Sequence, residues 1–128
     1  MIRVLLAALA VLAAGVVSVS AQSFPNQPIH MIVPFPPGGG TDALARAIQD
    51  RFQKAIGQTV IIDNRGGAGG SLGHEIVAKA QPDGYTVLVS SNNQMLLPYL
   101  IAHLSFDPAA FVPIGFIAKQ ESVFVGSA

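Results

Sequence analysis

Cysteine is absent from the 128 residues. That excludes disulfides, thiolate metal sites and an acylated-cysteine anchor, so this chain must be held by packing alone. Net charge is also missing: seven Lys and Arg balance seven Asp and Glu. No run of basic residues occurs, which removes the electrostatic footprint of a nucleic-acid binder. No basic amphipathic stretch points to a membrane surface either. There is no internal repeat and no low-complexity linker. Neither glycine-rich stretch contains Gly-Lys-Ser or Gly-Lys-Thr, so a Walker phosphate loop is excluded. His30, His74 and His103 show no metal-ligand spacing and read as structural or exposed.

What is present begins with a leader. Arg3 supplies one positive charge, Val4 to Val17 carries no charge, and Ser18-Val19-Ser20-Ala21 offers small residues to a signal peptidase. That order predicts a secretory signal peptide over 1–21, cleaved after Ala21. A membrane span needs about 20 apolar residues, and this run is shorter. The mature part, 22–128, is then about one small domain on the usual scale of ~100–200 residues.

Ile29 to Val33 is a short, mostly apolar run and predicts a buried strand. Pro34 to Gly40 cannot be helix or central strand. Thr41 is expected to cap a helix, with Asp42 against its positive end. Leu44, Ile48 and Phe52 form its apolar stripe, and Gly57 stops it. Thr59 to Asp63 reads as a second strand and Asn64 to Gly70 as a second glycine-rich turn. Ser71 to Ala80 reads as a second helix, with Leu72, Ile76 and Ala80 on one face. Gln81-Pro82-Asp83-Gly84 is a turn, since Pro presets φ and Gly accepts a positive one. Tyr85 to Val89 is a third strand. Met95 to Ile101 predicts a short helix interrupted near Pro98. Phe111–Ala118 and Ser122–Val125 read as two further strands. The strand–helix alternation with short crossovers predicts right-handed βαβ units and a mostly parallel, doubly wound α/β sheet. The chain stops on or just past an apolar strand, which predicts a truncated domain.

Ligands of such sheets bind at the carboxyl ends of the strands. Three loops fall there: Pro34–Thr41, Asn64–Ser71 and Ser90–Asn93. Two lead into helix N-termini, each with unpaired N–H groups and about half a positive charge. Glycine lets a ligand approach the backbone closely. Ser71, Thr41 and the Asn92–Asn93 pair add neutral donors and acceptors. Each loop also has a plainer reading as a tight turn. Arg65 pairs with Asp63 or Asp42, or is solvated. Gly67, Gly69 and Gly73 fit a dinucleotide fingerprint only when forced, and Ser71 is not in a nucleophile elbow.

The sequence resembles a known family at these residues. Ile32-Val33-Pro34-Phe35-Pro36-Pro37-Gly38-Gly39-Gly40-Thr41-Asp42, followed by Ala45-Arg46, is similar to the first motif of the Bug receptors. These are the substrate-binding proteins of tripartite tricarboxylate transporters (TctC-type). The likeness continues through Gly57-Gln58, Asp63-Asn64-Arg65, Gly67-Ala68-Gly69-Gly70 and Ala78-Lys79-Ala80-Gln81-Pro82-Asp83-Gly84-Tyr85-Thr86, and on to Phe111-Val112-Pro113-Ile114. It implies a periplasmic binding protein-like fold of type II, the Venus-flytrap. Residues 22–128 would be the N-terminal part of its first lobe, with the second lobe missing.

The resemblance also implies a periplasmic receptor for a small organic carboxylate or related metabolite. It implies membrane subunits of a tripartite tricarboxylate-type transporter as partners and a monomer when full length. Ligand contacts are expected at Phe35, Pro37, Gly38, Gly39, Gly40, Thr41 and Asp42, at Ala68, Gly69, Gly70 and Ser71, and at Ser91 and Asn92. No cofactor, metal, nucleic acid or catalysis is expected. An extracytoplasmic sensor for a signalling partner is the alternative, and an exported Rossmann-like enzyme the remoter one.

Overall fold

The computed structural model describes residues 23–119 and 126. The expected leader and the expected strand at Ser122–Val125 lie outside the described residues. The elements run β1 Ile29–Val33, α1 Gly40–Ile56, β2 Val60–Asn64, a 3-10 turn Ala68–Gly70, α2 Ser71–Ala78, β3 Thr86–Leu88, α3 Asn93–Leu100 and a 3-10 turn Pro108–Ala110. The sheet has the order β2-β1-β3 and both pairings are parallel. Val33 sits opposite Asn64, and Ile32 opposite Leu88.

Alternation along β1 decides what covers each face. Ile29, Met31 and Val33 join Val60, Val89 and Ala45 in the buried core. Ile48, Phe52 and Ile56 of α1 pack against that cluster. Each fully buried aliphatic side chain contributes roughly 1.5–3 kcal/mol. The stripe is therefore centred one residue later than expected, on Ala45, and Leu44 is exposed. Ile32 and Pro34 point the other way, towards α2. A Cβ on Gly73 of α2 would lie 2.7 Å from the Cα of Pro34, so only glycine lets the helix come this close. The buried face of α2 is accordingly Gly73 and His74, while Leu72 is exposed. Helices on opposite faces of a parallel sheet make the arrangement doubly wound.

Two glutamines of α1 finish the edge of the sheet. Gln53 Oε1 accepts from the Val60 N–H at 2.9 Å, and Gln49 Nε2 donates to the Val60 carbonyl at 2.8 Å. They take the place of a neighbouring strand at that residue.

Three expectations are corrected. Gly39, not Thr41, is the N-cap of α1, and no side chain caps it in the usual way. Asp42 instead reaches back past the N-cap to the Gly38 N–H. α3 is not interrupted at Pro98; it runs to Leu100, because the Ile101 N–H still bonds the Leu97 carbonyl at 3.0 Å and Leu97 is fully buried. Residues 111–119 form no strand. Val112, Ile114 and Phe116 are more than four-fifths exposed. Apolar alternation makes a strand only where a ladder partner exists, and among the described residues none pairs there.

Candidate functional site

The strand order places β1 between its two neighbours, with α1 and α2 departing to opposite faces. The carboxyl ends of β1 and β3 are therefore a topological switch point, where loops diverge and leave a crevice. A cleft of about 600 Å³ lies there. Phe35, Pro36, Gly39, Gly40 and Thr41 form one wall, Ser91, Asn92, Asn93 and Leu100 the other, with Gly69 between them. A second, flatter depression lies at Gln53, Lys54, Gly57, Gln58 and Thr59, at the opposite end of the sheet.

The first wall is shaped by a buried carboxylate. Asp42 is 2 % exposed, yet none of its oxygens lacks a partner. Oδ2 accepts from the Gly38 N–H at 2.8 Å and from Arg46 Nε at 2.9 Å; Oδ1 accepts from Asn64 Nδ2 at 3.0 Å. The Arg46 guanidinium, then the Gly38 amide and the Asn64 amide, hold its pKa well below the usual carboxylate range. Arg46 is raised in return by Asp42. Asn64 also donates to the Phe35 carbonyl at 3.1 Å. The end of β2 thus ties down both ends of the first loop. Gly38 holds φ +82, the left-handed region, so the turn itself needs glycine there. Gly39, at φ −75, does not.

The second turn and the third loop are joined by neutral groups. Asn93 Nδ2 donates to the Gly69 carbonyl at 2.7 Å. His74, fully buried, contacts the Gly70 carbonyl through Nδ1 and Ser90 Oγ through Nε2, each at 2.8 Å. Burial pushes the His74 pKa down, and the Gly70 carbonyl opposes this. Arg65 takes the first of its expected options: it pairs with Asp63 at 2.8 Å, away from Asp42.

The cleft brings together Phe35, Gly39, Gly40, Thr41, Gly69, Ser91 and Asn92 of the residues expected from sequence. It does not include the others. Pro37 and Gly38 are exposed beside it, and Asp42 lies beneath it. Gly70 is buried against the Phe35 ring, 3.3 Å from where its Cβ would be. Ala68 holds φ +46 at the start of the 3-10 turn, and Ser71 opens α2. Sequence reasoning missed Pro36 and Leu100 in the lining, and Arg46, Asn64 and His74 as supports. Asn64 had a signal, a lone amide ending a β-branched strand. His74 had none, since nothing local says which face of α2 is buried.

Most of the chain is similar to known proteins. Residues 44–128 match the family described as tripartite tricarboxylate transporter family receptor. BugT of Bordetella pertussis is 51% identical over 78 residues, covering 61% of this chain and 24% of its own. An R. palustris protein solved with adipate superposes with a TM-score of 0.64 at 36% identity, over 68% of this chain and 29% of that one. MatC from Rhodopseudomonas palustris with bound malate gives 0.63 at 38% identity, over 66% and 29%. This chain spans 24–39% of the length of the curated relatives it matches, so the sheet seen here is part of one lobe. With more than half of its residues matched in order, the chain belongs to the tripartite tricarboxylate transporter receptors, the Bug or TctC-type periplasmic solute-binding family.

Proposed function

We infer that this chain supplies one half of a receptor site for a small organic carboxylate, which it captures in the periplasm and passes to the membrane subunits of a tripartite tricarboxylate-type transporter. The activity is binding and release, without chemistry. One observation carries the reading: the cleft is walled by Gly39, Gly40 and Thr41 at the N-terminus of the 17-residue α1. The first N–H groups of a helix have no intrahelical acceptor, and they carry the positive end of the dipole. An anion is held there without a cationic side chain, and among the described residues none lines this cleft. Thr41, Ser91 and Asn92 supply neutral hydrogen bonds, and Phe35 and Leu100 an apolar surface. Gly38, Asp42 and Gly70 act one step back, by fixing the loops. Relatives solved with adipate and with malate agree with a carboxylate ligand. Removal of residues 1–21 belongs to the same reading, since the receptor must be exported.

Calorimetric titration of the full-length receptor with adipate and with malate tests this. Gly39→Val suits the test because Gly39 sits at φ −75, and its Cβ would meet only the Pro36 carbonyl oxygen at 3.4 Å. Binding should weaken by about tenfold or more, roughly 1.4 kcal/mol. A Gly39→Val variant with the parent's circular dichroism and unchanged affinity would move the anion site elsewhere.

A further inference from the structure

We propose that His74 is a positioning residue that joins the second turn to the third loop, and that its protonation re-sets Ser90 and Ser91 at the wall of the cleft. The functional consequence rests on the reading of the cleft given above; the switch itself does not.

The argument starts from donors and acceptors. A carbonyl oxygen only accepts, so the 2.8 Å contact between His74 Nδ1 and the Gly70 carbonyl puts the proton on Nδ1. Nε2 of the neutral ring is then an acceptor, and its partner at 2.8 Å is the Ser90 hydroxyl, which must donate. Both ring nitrogens are used, and the ring is fully buried. One side chain therefore spans two strands' loops: Gly70 follows β2, and Ser90 follows β3.

Protonation reverses one of these bonds. When Nε2 takes a proton from solvent it becomes a donor, and Ser90 Oγ has to accept. The Ser90 hydroxyl proton must then find another oxygen. The Ser91 carbonyl stands 3.4 Å away. The hydroxyl turns from the ring to the Ser91 peptide, in the loop that lines the cleft with Asn92 and Asn93. The second bond across the junction, Asn93 Nδ2 to the Gly69 carbonyl, transmits the change to the turn.

No charge bonds to or packs on the ring among the described residues. On its own helix, Glu75 is paired with Lys79. From the segment after α3, the rings of Phe106 and Phe111 lie 6.0 Å away, stacked and edge-on, and Asp107 is turned to the Ala109 N–H at 2.9 Å. The third loop offers only Ser90. Burial against aromatic rings disfavours the imidazolium, so the change falls below the ordinary histidine value of about 6.5.

Nitrogen-15 NMR of the imidazoles, followed from pH 8 to 4, reads the tautomer and the loop without any ligand. We expect Nδ1–H at neutral pH, a midpoint below 6.5, and Ser91 and Asn92 amide signals moving with that midpoint. His74→Gln separates these shifts from His30 and His103, and should abolish them. Ser90→Ala, which leaves the ring and the Gly70 bond in place, should abolish the loop shifts while Gly70 still responds. An Nε2–H tautomer overturns the proposal. So do loop amides that titrate unchanged in Ser90→Ala.

Discussion

The first and third loops face each other across the cleft and are held by opposite kinds of chemistry. A buried carboxylate anchors the first, gathering a backbone amide, a guanidinium and a side-chain amide. Uncharged groups anchor the third: an imidazole, a hydroxyl and the carboxamide of Asn93. The difference is one of range. A carboxylate with three donors stays ionised until the solution is strongly acid. A buried neutral imidazole is challenged sooner, in mild acid below its ordinary value. One wall is thus built to be constant and the other to respond.

The largest effect should come from the position that both walls share. Gly73 lets α2 rest on Pro34, at the root of the first loop, while His74 beside it grips the third. Gly73→Val would drive a side chain into backbone carbons that cannot turn aside, since even Cβ lies 2.7 Å from Pro34 Cα. Urea unfolding should show a loss of about 3 kcal/mol, the upper end of ordinary overpacking. A loss below about 1 kcal/mol would mean that α2 slides freely and that the walls are not coupled through it.

Acid should open the two walls in order. His74 has a folded pKa below its unfolded value. Its contribution is complete above about 6.5 and falls away as the pH drops from there towards the folded value. Asp42 is also depressed, as an acid. Its contribution is complete above the ordinary value of 3.8 and is lost only below it. Amide hydrogen exchange, corrected for the intrinsic rate at each pH, should therefore lose protection at Ser90–Asn93 between pH 7 and 4.5 while Gly38 keeps it. Asp42→Asn should reverse the contrast, weakening the first loop at every pH. Simultaneous loosening of both loops near pH 6 in the parent would break the comparison.

Asn93→Ala tests the weaker half of the third-loop clamp. The Gly69 carbonyl it releases is open to solvent, so water replaces part of the bond. About 0.5–1.5 kcal/mol should be lost in thermal unfolding, with the first loop unaffected. The smallest effect should be that of Arg51→Ala. Arg51 is exposed on α1, one turn beyond Arg46 and outside its network. Stability should stay within about 0.5 kcal/mol. A larger loss would place a contact on a face of α1 taken here as solvated.

The fold was largely legible because its signals are local. Ile29–Val33 is mostly apolar with three β-branched residues, Gly57 ends α1 with φ +70, and the two glycine-rich stretches read as turns leading into helices. Errors arose where a partner decides. Leu44 and Ala45 both fit an apolar stripe, and the sheet selected Ala45. Leu72 looked like the inner face of α2, but Pro34 stands too close for anything except Gly73. Val112, Ile114 and Phe116 alternate as a strand would and have no ladder to join. The candidate site divides the same way. Its loops could be placed from strand ends alone, whereas Asn64, Arg46 and His74 act through neighbours 4 to 29 residues away.

Composition, turn chemistry and the strand–helix alternation were enough to specify a parallel α/β sheet with glycine-rich loops at its carboxyl edge, because each depends on neighbours along the chain. The contents of the cleft depend on neighbours in space. Only the register that sets Val33 beside Asn64 brings an amide to Asp42, and only the close seat of Gly73 on Pro34 buries His74 beneath Ser90. Hydrogen bonds act within about 3 Å, so which donors meet which acceptors is settled when the sheet closes and not before.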